Sequence, residues 1–160
     1  GAMNIRVGLG FDLHRLEEGR ACILGGVTFD HPKGPMGHSD GDVVLHAISD
    51  ALLGAAGLDD LGTLFPDTDA EWKGADSAAL LAEVVRRLGD KGWSPVNLDV
   101  VIATEGPRIA PRRAELRARI GGLVGLDPAD VNIKGKTLEG MGALAGGTGV
   151  AVQAVCLISK

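Results

Sequence analysis

Two short clusters hold three of the four histidines in this 160-residue chain. In the first, Asp12 and His14 set a carboxylate and an imidazole two residues apart. In the second, GHSDGDVVLH (37 to 46), two more imidazoles and two aspartates crowd the mouth of an apolar helical pattern. Side chains at i and i+2 on a strand rise from one face with their roots roughly 7 Å apart, within reach of a shared ion. One carboxylate and two imidazoles suit a tetrahedral zinc or a related divalent cation, with a fourth position open to substrate. Asp12, His14 and His46 are therefore the candidate ligands. Taken singly, each also reads as an ordinary polar side chain; the pairing of the two clusters is what points to a site. His38 and Ser39 precede a helix start, where backbone amides and the positive end of the dipole favour an anion such as phosphate. His31 sits in a His-Pro turn and reads as structural.

Three further segments carry weaker signals. FPDTD (65 to 69) is a turn-rich acidic loop. EGPRIAP (105 to 111) places Arg108 just ahead of a helix start, a position friendly to anions. KGKTLEG (134 to 140) puts Lys134, Lys136, Thr137 and Glu139 at a strand end that runs into glycines. Lys and Thr suit phosphate, and Glu139 suits a hard cation such as magnesium. The GxxxxGK[ST] order is missing, so this is not a Walker loop.

The elements that must carry these residues follow from periodicity. Ile5, Val7, Leu9, Phe11 and Leu13 alternate with Arg6, Gly8, Gly10, Asp12 and His14, which predicts a strand with one buried face and sets Asp12 and His14 on the same side. CILGGVTF (22 to 29) predicts a hairpin about Gly25-Gly26, and 31 to 37 a loop. Ser39 followed by Asp42 matches a capping box for a helix running to Gly57, with His46 about two turns inside and Asp42 or Asp50 placed to orient it. Residues 58 to 75 lack periodicity and predict a long surface loop. Helices are predicted over 77 to 91 and 111 to 121, and strands over 97 to 104, 131 to 137 and 150 to 158. The last strand is apolar on both faces apart from Gln153, as expected of a strand covered on both sides. Helices between strands imply crossovers, hence a mixed sheet.

A 45% hydrophobic chain of this length supports one α+β domain, taken as 4 to 159, with Gly1 and Ala2 ahead of Met3 reading as the remnant of a cleaved tag. A net charge of -5, with three Phe, two Trp and no Tyr, argues against a nucleic-acid surface. No apolar run is long enough for a membrane span and no signal peptide is evident, so a cytoplasmic location is expected. Cys22 and Cys156 lie far apart without CxxC spacing and read as core residues.

GFDLH (10 to 14), GHSDGDVVLHAISDALLGAAGL (37 to 58), LFPDTD (64 to 69), KGADS (73 to 77) and KTLEGMG (136 to 142) together resemble the 2-C-methyl-D-erythritol 2,4-cyclodiphosphate synthase family, in register over essentially the whole chain. The resemblance implies a single-domain α+β subunit: a mixed four-stranded sheet plus a small hairpin, about three helices on one face, and assembly as a homotrimer around the sheets. It implies Asp12, His14 and His46 as zinc ligands and Glu139 as ligand of a second ion, magnesium or manganese. It implies His38 and Thr137 as stabilisers of the transition state. Contacts to the erythritol part are implied for Asp60, Gly62, Phe65, Pro66, Asp67, Thr68 and Asp69. A cytidine pocket supplied across the interface is implied for Pro107 and Arg108, with Ser39 and Lys136 also among the substrate contacts. The implied reaction closes 4-diphosphocytidyl-2-C-methyl-D-erythritol 2-phosphate on itself with loss of CMP. No protein nucleophile is needed, which fits the lack of a Ser-His-Asp or Cys-His arrangement.

The chain departs from the family after EGMG, where Ala143, Gly146 and Thr148 stand in place of Phe, Arg and Glu, so those contacts are not carried over. Two other readings use the same residues. A metal-dependent phosphohydrolase would give a linear product, and a non-catalytic nucleotide-binding trimer would bind CMP without turnover.

Overall fold

The computed structural model describes residues 3 to 37 and 39 to 160; Gly1, Ala2 and His38 lie outside the described residues. Seven strands and four helices follow in the order β1 (Ile5–Glu18), β2 (Cys22–Leu24), β3 (Val27–Phe29), β4 (Lys33–Pro35), α1 (Val43–Ala55), α2 (Leu61–Leu64), α3 (Ser77–Asp90), β5 (Ser94–Thr104), α4 (Arg113–Val124), β6 (Val131–Lys136) and β7 (Gly149–Ser159). Five strands form one mixed sheet in the order β4-β1-β7-β5-β6, and β2 and β3 pair as a separate hairpin. Only β5 and β6 run parallel, joined by α4 as a crossover. The expected four strands are all present; the fifth, β4, falls in the predicted loop 31 to 37 and pairs Gly34 with Glu17. A three-residue edge strand containing Pro35 and Gly34 offers too little periodicity to be read from sequence.

One face of the sheet meets α1, α3 and α4. Val100, Ile102, Val131, Ile133, Val152, Ala154 and Ile158 are buried there against Ile48, Leu52, Leu81, Val84, Leu88, Leu116 and Ile120. Helix α1 is apolar nearly all round, as suits a helix enclosed by its neighbours. Its closeness to β1 is enforced by glycine. A Cβ on Gly10 would lie 1.8 Å from the carbonyl oxygen of Ala47, and one on Gly8 1.9 Å from that of Ala51. The helix backbone thus rests directly on the strand, with alanines as its contact residues. This sets His46, the neighbour of Ala47, beside Asp12.

The start of α1 differs from the expected capping box. Ser39 is not the cap; Asp42 is, accepting from the Leu45 amide at 3.1 Å. Its carboxylate also accepts from the amides of Gly25 at 2.9 Å and Gly26 at 2.7 Å, pinning the β2–β3 turn to the helix start. Burial pushes the Asp42 carboxyl up to about 6, against the pull of those three amides. The helix therefore starts later than predicted, and His46 stands in its first turn, donating its backbone amide to Asp42.

The predicted loop 58 to 75 contains α2, a single turn capped by Asp60. The predicted helix 111 to 121 is shifted: a 3₁₀ turn at Ala110–Arg112 holds Pro111, and α4 runs on to Val124 before a left-handed Gly125. Cys22 and Cys156 are buried free thiols, each pushed up to about 11 by burial.

The largest correction concerns the faces of β1. Its apolar residues are not in the core: Ile5, Val7, Leu9, Phe11 and Leu13 are 50 to 69% exposed. The face that packs on α1 is the one carrying Gly8 and Gly10. The row continues across the sheet through exposed Val155, opposite Leu9 on β7, and half-buried Leu157, opposite Val7. On β7, then, one apolar face meets the helices and the other opens outward. An exposed apolar face of this extent marks an interaction surface.

Candidate metal centre

Asp12 and His14 project from one face of β1, and His46 reaches the same point from the first turn of α1. Asp12 Oδ2 lies 2.9 Å from His14 Nε2 and 3.2 Å from His46 Nδ1. One ligand atom from each of the three falls within 4.8 Å of the others, the one such group of His, Cys, Asp or Glu found among the described residues. Burial works to raise the Asp12 carboxyl, but the hydrogen bonds to both imidazoles outweigh it and hold the group well below the usual carboxylate range. His14 is raised, chiefly by its bond to Asp12. A carboxylate oxygen facing two ring nitrogens is a donor set that fits zinc.

Each ring is held from behind. His14 Nδ1 donates to the carbonyl of Met36, which leaves Nε2 facing Asp12. His46 Nε2 lies 2.8 Å from the hydroxyl of Ser77, the first residue of α3. That hydroxyl also meets the Asp40 carboxylate, and Asp40 accepts the Ser77 amide at 3.1 Å. The expected partners of His46 do other work: Asp42 caps α1, and Asp50 accepts the Leu61 amide at 2.7 Å. Arg20 anchors the approach to α1, donating to the carbonyls of Pro35, Gly37 and Ser39.

The three ligands line one wall of a cleft of about 300 Å³. Ser39, Leu61, Gly62, Phe65, Asp67 and Trp72 line other parts of it. Phe65 is buried between the edge of Trp72, 4.9 Å between centroids, and the Arg87 guanidinium, 4.7 Å from its ring centre. Asp60 caps α2 through the Thr63 amide at 2.9 Å. Pro66, Thr68 and Asp69 share the same segment without lining the cleft; Asp69 donates its amide to Pro66 and accepts that of Glu71.

The remaining predicted residues gather elsewhere. Pro107, Arg108, Lys136 and Thr137 line a second hollow of about 210 Å³ at the ends of β5 and β6. Thr137 Oγ1 donates to the Glu139 carboxylate at 3.3 Å, and both side chains are exposed. With β7 and β5 between them, β6 stands three strand spacings from β1, roughly 14 Å. Glu139 therefore does not join the Asp12 cluster within one chain. Ser77, Asp40, Arg20 and Trp72 were not singled out by sequence reasoning. Ser77 is 31 residues from His46, and no local pattern links them.

The fold and this centre define an α+β chain with a candidate divalent-metal site. The model of the YgbB family matches residues 5 to 159, and the chain belongs to that family. It is 52% identical, over 97% of its length and 98% of the relative's, to a protein from Chromobacterium violaceum named 2-C-methyl-D-erythritol 2,4-cyclodiphosphate synthase. A protein of the same name from Laribacter hongkongensis is 51% identical over 99% of this chain and 98% of its own. Among solved structures, a 2C-methyl-D-erythritol-2,4-cyclodiphosphate synthase described as a bound form with CDP superposes with a TM-score of 0.89 at 38% identity, covering 96% of this chain and 99% of that one. A Plasmodium falciparum CDP complex superposes with a TM-score of 0.85 at 30% identity, over 99% and 97% of the two chains.

Proposed function

We propose that this chain is a phosphorus-oxygen lyase that converts 4-diphosphocytidyl-2-C-methyl-D-erythritol 2-phosphate to 2-C-methyl-D-erythritol 2,4-cyclodiphosphate with release of CMP. The observation that carries the reading is the convergence of Asp12, His14 and His46 on the wall of a cleft, in a chain about half identical over its whole length to enzymes of that name. A divalent cation held by these three, zinc by the chemistry of the donors, supplies charge stabilisation to the phosphates when bound. Glu139 is a single exposed carboxylate, suited to magnesium or manganese, ions that keep most of their waters and share substrate phosphates with few protein ligands.

In the reaction an oxygen of the 2-phosphate attacks the β-phosphorus, the bond from that phosphorus to the bridging oxygen breaks, and CMP leaves with the electron pair. The chain's own groups hold the two ends of the substrate in line and spread the developing charge. Asp12 and His14 define where the phosphates meet. Thr137 and His38 are assigned to the transition state, His38 on sequence grounds. Asp60, Gly62 and residues Phe65 to Asp69 receive the erythritol part; the apolar wall of Leu61 and Phe65 suits its methyl group. Pro107, Arg108 and Lys136 receive the cytidine end.

The two hollows become one site if copies assemble. The exposed apolar face of β1 and β7 is the surface such an assembly would cover, and it supports a homotrimer with each site shared between neighbours. Among the described residues no helix is long and apolar enough to cross a membrane; the cytoplasm is the location we propose for work on this small metabolite. Incubating the protein with the substrate and following products by phosphorus NMR tests the proposal. Appearance of the cyclic diphosphate with one equivalent of CMP is expected; a linear, hydrolysed product, or CMP binding without turnover, contradicts it.

A further inference from the structure

We infer that Ser77, backed by Asp40, is a positioning residue that keeps a proton on His46 Nε2, so that Nδ1 is the nitrogen offered to a cation. The inference rests on the metal-centre reading above and assigns a task to two residues outside the ligand set. Ser77 Oγ has one proton and two near partners, His46 Nε2 at 2.8 Å and the Asp40 carboxylate. Both oxygens of Asp40 already accept backbone amides: Oδ1 that of Asp42 at 3.0 Å, Oδ2 that of Ser77 at 3.1 Å. Asp40 is thus an acceptor toward Ser77, and the serine proton is spent on it. What the serine offers His46 is a lone pair. The imidazole must then donate from Nε2, and Nδ1, which faces Asp12 Oδ2 at 3.2 Å, is the nitrogen whose proton a cation between them would replace. A serine turned the other way would leave its oxygen and the carboxylate as two acceptors in close contact.

Neither residue is needed where helix ends usually use such groups. Asp76, not Ser77, caps α3 through the Ala79 amide at 2.7 Å, and Asp42, not Asp40, caps α1. Ser77 is nearly fully buried, so water is a poor competitor for its hydroxyl. Directed hydrogen bonding from carboxylate through hydroxyl to imidazole both aims the ring and raises the basicity of its other nitrogen. The two histidines are consequently held through opposite ring nitrogens, His14 at Nδ1 by the Met36 carbonyl and His46 at Nε2 by Ser77.

The test uses the intact protein and Ser77→Ala, a change that leaves the α3 cap in place. Circular dichroism should be unchanged. In metal-free protein with ¹⁵N-labelled histidine, the His46 Nε2 shift of the wild type should report a bound proton, and Ser77→Ala should show that nitrogen partly deprotonated. Zinc affinity, read by competition with a chromophoric chelator, should fall about 10- to 100-fold in the variant, and Asp40→Asn should weaken it in the same direction. A wild-type His46 without a proton on Nε2, or a Ser77→Ala affinity within twofold of wild type, overturns the inference. Wild-type protein that binds no zinc overturns the metal reading instead, and the Nε2 measurement then decides on Ser77 independently.

Discussion

Asp12→Asn is expected to strip the protein of its cation and lower turnover at least ~10³-fold. Asp12 Oδ2 is the one atom that both imidazoles approach, at 2.9 and 3.2 Å, so it is the geometric centre of the site as well as the one carboxylate of the three ligands. Asparagine keeps the shape. It removes the charge that attracts a divalent ion and presents either a neutral oxygen or an amide donor to two nitrogens that need a common electrophile. Because the Asp12 side chain is partly exposed at the cleft and the pairing of its backbone with Val152 does not depend on the carboxylate, the fold should survive. Metal content by mass spectrometry and CMP release together check the outcome. Retention of one cation per chain with turnover within tenfold of wild type would show that Asp12 is not a ligand.

The second large effect is expected from Phe11→Asp. Phe11 lies one residue from Asp12 but on the opposite face of β1, more than half exposed in the isolated chain. A single chain loses little by the change, since the new carboxylate is solvated. An assembly that covers this face must instead bury or crowd one charge per subunit, at a cost of several kcal/mol each. The expected result is a folded monomer of 16.4 kDa by sedimentation, with the wild-type circular dichroism spectrum and turnover reduced ~10³-fold or more, because in the trimer we propose Thr137 and Arg108 would no longer meet the Asp12 cleft of a neighbour. An oligomer that persists would place the interface elsewhere. A fully active monomer would mean that one chain holds the complete site.

These two residues also mark what the sequence makes legible. Alternation on β1 correctly sets Asp12 with His14 and apart from Phe11, because period two is fixed by strand geometry whichever face is buried. It does not say which face meets the helices. Hydrophobicity assigns the apolar row to the core, yet Gly8 and Gly10 do the packing, since only glycine lets α1 rest its carbonyls on the strand. The apolar row is then free for contacts between chains. The start of α1 shows a similar competition: Ser39 and Asp42 both suit a cap, and Asp42 wins through three amides, two of them from the distant β2–β3 turn. Ser77 was invisible because its bond to His46 depends on α3 docking beside α1, a tertiary event with no local trace. The Thr137 and Glu139 segment was legible as phosphate-friendly chemistry, but its distance from Asp12 follows from strand order, and strand order is not encoded by spacing.

One divalent cation shared by Asp12, His14 and His46 should be visible by anomalous diffraction at the zinc edge, from crystals of zinc-loaded protein. A single strong peak per chain is expected at roughly 2.0 to 2.2 Å from Asp12 Oδ2, His14 Nε2 and His46 Nδ1. No peak there, or zinc bound through other nitrogens or at other side chains, would contradict a shared cation.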